Sequence, residues 1–280
     1  MAAGSEALSA GMLTAPFAAV GEHIVIDLAG ARALFTTRRG GVSVGPYASL
    51  NLASGVPGLA RRGGGGGGDN DAAGSRGVGD DPLAVQANRA RLANAVGLPF
   101  DRLARGRQVH GSRVRRVRRA RRWLSPQEAP ADGQAVAGRG KGALVLVADC
   151  LPIVLAGEEA VAVVHAGWRG LDGGIVAEGI RAVQELGGGA EVVAAIGPGA
   201  GGCCYEVGPE VHARFAGYPE AHQGRRLDLK QVARTQLEAA GVPAVHDVGL
   251  CTMCADPTLF FSHRRDGGVT GRQAGLAWLI

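Results

Sequence analysis

Aromatic residues are scarce in this chain, with 6 Phe, 3 Trp and 3 Tyr among 280 residues. A core must therefore rest mainly on Val, Leu and Ala, and with 46% apolar residues there is enough material for a substantial one. No apolar run approaches the roughly 18 residues of a membrane-spanning helix, so no membrane partner is expected. The opening MAAGSEALSAGML has neither the basic stretch nor the apolar stretch of a secretory signal. The five cysteines are an odd number in three places, Cys150, Cys203–Cys204 and Cys251/Cys254, unlike the disulfide framework of a small secreted domain. These absences predict a cytoplasmic protein with reduced thiols. What is abundant says less: 47 glycines far exceed the usual share of about 7%, and Ala and Arg are also high, as in a GC-rich genome.

The net charge of +5 is distributed unevenly. From Arg102 to Arg122 the chain carries ten arginines and no acid. Such a run could meet nucleic-acid phosphates. Only Trp123 adjoins it, so bases would have no aromatic platform, and a solvated surface is the simpler expectation for most of these residues.

Residues 1–16 read as a loose tail ahead of one domain over 17–280. His23–Leu28 and Ala31–Thr37 are apolar runs around Ala29-Gly30, the pattern of a hairpin. Residues 55–80 contain six consecutive glycines and almost no large apolar side chains, which predicts a disordered insertion within the domain. Asp81-Pro82 starts a helix with Leu83, Val85, Leu92 and Val96 on one face and Gly97 as its stop. Ala131-Asp132-Gly133 reads as a turn. Strands are expected at Ala143–Val147, Ile153–Leu155, Val161–His165, Glu191–Ile196, Val245–Leu250 and Gln273–Ile280. Helices are expected over Leu171–Leu186, around Val211 and Phe215, and over Asp228–Ala240. Interleaved strands and helices predict an α/β or α+β class: one layered domain with a mixed sheet flanked by helices.

Two of these runs end on residues that can ligate a metal. Cys150 follows the first and His165 closes the second, while His110 lies 40 residues before the cysteine in RQVHGS. Thiolate and imidazole suit zinc, and a catalytic zinc keeps three protein ligands with one open position. Small neighbours, Gly111 and Ala166-Gly167, would let backbone and water approach. The spacings match no short zinc signature, and a lone histidine at a strand end is more often a hydrogen-bonded structural residue. Cys251-Thr-Met-Cys254 is one C-x-x-C without a second pair in sequence, which is not a structural zinc pattern, and it reads as structural or idle. Cys203 and Cys204 follow a glycine-rich turn that could receive an anion, or else serve as small apolar residues.

Seven blocks in order sharpen this picture: TTRRGGVSVGPYASLNLA, VGDDPLAVQANRARL, QVHG, ADCLPIVLAG, VVHAGWRG, IGPGAGGCCYEVG and FFSHRRDGGVTGRQAGL. From about residue 33 to the end, the chain resembles the YfiH family, also called the laccase-domain or multicopper polyphenol oxidase family, whose members are regarded as purine nucleoside phosphorylases. The resemblance implies a layered α/β fold like that of cysteine hydrolases and of a deamidating toxin's catalytic domain. It implies a catalytic zinc on His110, Cys150 and His165, with copper as the other candidate. It also implies phosphorolysis of adenosine, inosine, guanosine and methylthioadenosine, and deamination of adenosine. Zinc lowers the pKa of bound water to about 7, which suits hydrolytic loss of ammonia from adenine. Phosphate suits arginine, and Arg38, Arg169 and Arg264 lie in matched blocks. Asn51 could orient a ligand or brace its loop, and Asp149 could support the metal cysteine or act as a general base. His263 stands where the family pattern has an aromatic residue. A copper phenol oxidase is disfavoured because the seven histidines form no His-x-His pair. Nucleic-acid binding through the arginine block ranks last, and oligomeric state is open.

Overall fold

The inner strands of this protein are buried on both faces, which is why they read as continuous apolar runs rather than as an alternation. In the computed structural model, which describes Leu8 and residues 12–54, 79–118 and 130–280, two six-stranded sheets are stacked and covered by helices. Most of the expected loose tail and nearly all of the expected glycine-rich insertion lie outside the described residues. Leu8 itself is buried against the core.

In chain order the strands of the two sheets are β1 (Ala18–Val20), β2 (His23–Leu28), β3 (Ala31–Thr36), β4 (Leu103–Ala104), β5 (Val114–Val117), β6 (Gly133–Ala137), β7 (Gly142–Val147), β8 (Leu151–Ala156), β9 (Ala160–Ala166) and β10 (Val193–Ile196). They are followed by β11 (His222–Gln223) and β12 (Arg226–Leu227), a small separate hairpin, then β13 (Val245–Asp247) and β14 (Gln273–Leu279). The first sheet has the order β1-β2-β3-β14-β7-β4, antiparallel except for β4 on β7. The second has the order β13-β10-β8-β9-β6-β5, with parallel outer pairs and antiparallel inner ones. The expected mixed α/β class is therefore the observed one, with two mixed sheets instead of one.

Alternate residues of each strand serve different layers. Between the sheets, Ile24, Ile26, Phe35, Val145 and Val147 meet Val154, Val161, Val163 and Ala195. The other face of the second sheet presents Ile153, Leu155 and Val164 to α3 (Ile175–Glu185) and α5 (Leu229–Ala239). The outer face of the first sheet presents Val25, Leu34, Leu144 and Leu276 to α1 (Pro82–Val96). Each such Val or Leu contributes about 1.5–3 kcal/mol when withdrawn from water. The few phenylalanines are concentrated here, with Phe35, Phe215, Phe260 and Phe261 all fully buried, so the core is not purely aliphatic. Glycine makes room for them: a Cβ on Gly197 would stand 2.3 Å from the Phe35 ring.

Several expectations change in detail. Asp81 does cap α1, accepting from the Leu83 amide, and Gly97 ends it with a left-handed φ of 68°. Leu83 is nevertheless exposed, and Asn88 takes its place on the buried face. Asn88 donates to Ser43 Oγ and to the Ser49 and Asn51 carbonyls, and accepts from the Val42 amide, so it pins the loop at 42–51. The helix expected over Leu171–Leu186 is two helices, α2 (Trp168–Asp172) and α3, because Gly173-Gly174 interrupts it and Gly174 has φ 79°. Asp228, the first residue of the helix expected over Asp228–Ala240, is the N-cap of α5 and accepts from the Lys230 and Gln231 amides. The short helix around Val211 is α4 (Pro209–Arg214).

The arginine block is not a uniformly solvated surface. Part of it forms β5, where Arg115 donates to Gln134 and the Arg105 carbonyl, and Arg116 pairs with Glu178 and Glu185. Arg105 stacks on Phe100, and burial brings its guanidinium down to about 10. Arg119, Arg121 and Arg122 lie outside the described residues. Among the described residues no helix is long and apolar enough to cross a membrane.

Candidate metal centre

Strands β8 and β9 form a hairpin whose register pairs Leu151 with Ala166 and Pro152 with His165. Its open end therefore carries Cys150 opposite Gly167. This register, not any ligand signature, accounts for the 15-residue separation of Cys150 and His165. Only glycine fits at 167, since a Cβ there would lie 2.9 Å from Cys150 Sγ and 3.4 Å from His110 Cδ2.

His110 comes from the loop between β4 and β5, in a left-handed conformation with φ 59°. A buried carboxylate holds that loop: Asp132 accepts hydrogen bonds from the amides of Val109, His110 and Gly111 at 2.8–3.1 Å. The preceding Gln108 side chain pairs with the backbone of Leu146, donating to its carbonyl and accepting from its amide. The QVHG block is thereby anchored on both sides.

His110, Cys150 and His165 each offer one ligand atom, and these atoms all lie within 4.8 Å of one another. His165 is buried, Cys150 half-buried and His110 exposed, so the group opens on one side. His165 Nδ1 lies 2.9 Å from Asp132 Oδ1. A nitrogen facing a carboxylate carries the proton, which leaves Nε2 for a metal; this is the usual second support of a ligating imidazole. Two imidazoles, one thiolate and an open side fit zinc. Burial alone would push the Cys150 thiol up, but His165 and His110 outweigh it and bring it down to about 6. Burial opposes a charge on His165, yet Cys150 and Asp132 raise it to about 9. Asp132 was not singled out from the sequence beyond its place in a turn. The only signal was an acid at the end of a short polar stretch before a strand.

Asp149, next to the cysteine, has a left-handed φ of 86°. Its carboxylate accepts from Thr252 Oγ at 2.7 Å and from the Arg264 amide at 2.7 Å, and its carbonyl accepts from Ala200 at 2.7 Å. Three loops are joined there. Asn51 is buried and fully engaged: it donates to Asp80 and the Ala53 carbonyl and accepts from the Ala53 and Arg272 amides. These bonds match the bracing alternative. Arg38 donates to the Ala48 and Pro257 carbonyls and lies over the Phe261 ring.

Arg169 sits over Trp168, while Arg264 donates to the Glu206 carbonyl and lies over Tyr205. Burial, then Cys150 and Asp149 working against Arg264 and Arg169, pushes the Tyr205 phenol up to about 12. Both arginines and Cys150 are thus within electrostatic range of the same phenol. Arg272, which the sequence did not single out, is a third cation in this region, half-buried and balanced by Cys150, Asp149 and Tyr47.

The fit at Gly167 carries a prediction. Gly167→Ala will force Cys150 Sγ or the His110 ring aside and lower metal affinity by about 10- to 100-fold, the effect of a misplaced ligand. Titration against a zinc chelator measures it, and affinity equal to the parent protein would show that the site relaxes around the methyl group.

Residues 32–280 match the family described as multi-copper polyphenol oxidoreductase laccase. A purine nucleoside phosphorylase of Corynebacterium glutamicum is 39% identical over 268 residues, covering 89% of this chain and 94% of its own. One from Deinococcus radiodurans is 40% identical over 249 residues, 85% of each chain. Among solved structures, YlmD from Geobacillus stearothermophilus superposes with a TM-score of 0.78 at 33% identity, over 96% of this chain and 98% of that one. YfiH from Bacillus licheniformis gives 0.79 at 29% identity, over 95% and 100%.

Proposed function

Because the chain belongs to the multi-copper polyphenol oxidoreductase laccase family, with relatives named purine nucleoside phosphorylase at 39% and 40% identity, we propose that it is a zinc-dependent purine nucleoside phosphorylase that also deaminates adenosine. Its substrates are adenosine, inosine, guanosine and methylthioadenosine, with inorganic phosphate. The observation that carries this reading is the convergence of His110, Cys150 and His165 on one point, backed by Asp132 and open at the exposed His110.

Zinc held by these three residues would supply Lewis-acid stabilisation of charge on the reacting purine or on water. The chain's own side chains supply the rest. Asp132 fixes the His165 ring and, through three amides, the position of His110. Arg169 and Arg264 bind phosphate beside the centre, where guanidinium forks match its oxygens. Arg272 adds positive potential from a half-buried position. Tyr205 stays protonated at neutral pH and donates to a ribose or phosphate oxygen. Asp149 holds the loops of Thr252, Arg264 and Ala200 in place, and Asn51 and Arg38 shape the neighbouring wall.

The set of two histidines and a cysteine also suits copper. Oxidation of phenols with several coppers would need further histidine clusters, and among the described residues the only other group of candidate ligands is all cysteine. Phosphorolysis is the better reading. Zinc-loaded protein given adenosine and phosphate will release adenine and ribose 1-phosphate. Without phosphate it will release only inosine and ammonia. Failure to form either product pair, with zinc bound at one equivalent or more, would refute the proposal.

A further inference from the structure

The two cysteine pairs that stand far apart in sequence meet in space. Cys203 and Cys204 follow β10 in the turn after Gly201-Gly202, and Cys251 and Cys254 follow β13, the strand that lies parallel to β10. A backbone bridge between Gly199 and Cys251 draws the two loops together. All four sulfurs lie within 4.8 Å of one another.

We propose that Cys203, Cys204, Cys251 and Cys254 bind a second metal ion of the zinc class, a closed four-sulfur site that ties together two loops bordering the first centre. A tetrahedral zinc with Zn–S bonds of about 2.3 Å spaces its sulfurs about 3.8 Å apart, and the group is already near that size. Cys203 and Cys254 have sulfurs 3.4 Å apart, beyond the roughly 2.05 Å of a disulfide. Cys251 Sγ accepts from the Gly201 amide at 3.2 Å, a bond that supports a thiolate. Glycine eases the close approach, since a Cβ on Gly201 would lie 3.2 Å from Cys203 Sγ and 3.3 Å from Cys251 Cβ. Four coordinated thiolates leave no open position, so the role is structural.

The site would act on the first centre through the loops it joins. Cys204 adjoins Tyr205, and Cys251 adjoins Thr252, whose hydroxyl donates to Asp149. Thr252 also donates its amide to Gly199, and Ala200 donates to Asp149. No ligand is shared with His110, Cys150 and His165, so the two metal sites can be tested separately.

Metal analysis of the full chain, purified under reducing conditions and loaded with zinc, should give two equivalents. Cys150→Ala should lose one and keep the other. The double variant Cys203→Ser/Cys254→Ser, at two exposed positions, should also lose one equivalent, this time keeping the first centre. Cobalt added to metal-free Cys150→Ala protein should produce the intense thiolate-to-cobalt absorption of a tetrahedral four-sulfur site, and this arm decides the matter if the double variant does not fold. The proposal is overturned if Cys150→Ala retains no zinc, if its cobalt spectrum lacks that absorption, if the double variant keeps both equivalents, or if thiol counting finds Cys203 and Cys254 joined as a disulfide.

Discussion

Cys150→Ala will lower phosphorolysis and deamination together by roughly 10³-fold or more, because the metal-dependent charge stabilisation lost is worth several kcal/mol. The cause is local. The side chain removed is small and half-buried, so unfolding should become easier by only about 1 kcal/mol. Rate, zinc content and melting temperature measured on the same preparation separate loss of the centre from loss of the fold. Turnover within tenfold of the parent would mean that Cys150 is not needed, and the assignment of a three-ligand centre would fall with it.

Asp132→Asn is the second large effect, and it tests a residue that touches no substrate. Asp132 is fully buried and its two oxygens serve four donors: the amides of Val109, His110 and Gly111, and His165 Nδ1. An asparagine has one oxygen and a donating NH₂ group, so at least one of those N–H groups would face a donor. We expect a loss of roughly 2–4 kcal/mol in stability from the unmatched buried groups. Metal affinity should fall about 10- to 100-fold, the size of effect seen when the partner of a ligating imidazole is removed. Excess zinc should restore most of the turnover of Asp132→Asn and none of that of Cys150→Ala, which distinguishes a positioning residue from a ligand. Equal zinc affinity in the variant and the parent would exclude this role for Asp132.

Cys150 and His165 were readable at the ends of apolar runs, the first following β7 and the second near the end of β9, without knowing the fold; that β8 and β9 pair as a hairpin was not. His110 was a candidate by residue type alone, and the resemblance strengthened it. Its position depends on β4, only two residues long, and on β5, which has arginine at two of its four positions, and the pairing of both is set by the neighbours they meet. Asp132 looked like any turn aspartate. Its partners are 21 to 33 residues away in sequence, and nothing local says that three amides and an imidazole will converge on it. The helix expected over Leu171–Leu186 failed at Gly173-Gly174 for a local reason, since its apolar spacing continues across a pair of residues that favour a break.

The sequence alone determined the class of fold, the helix start at Asp81-Pro82, and the ligand types at Cys150 and His165, because each depends on side chains within a few residues of one another. Only the tertiary structure decided that two sheets share one core, that the arginines at 105, 115 and 116 face protein as well as water, and that Asp132 stands behind the centre. It also decided that Cys203–Cys204 meets Cys251/Cys254. Those contacts join residues tens of positions apart, and such contacts form only when the stacking of both sheets brings their loops to the same place.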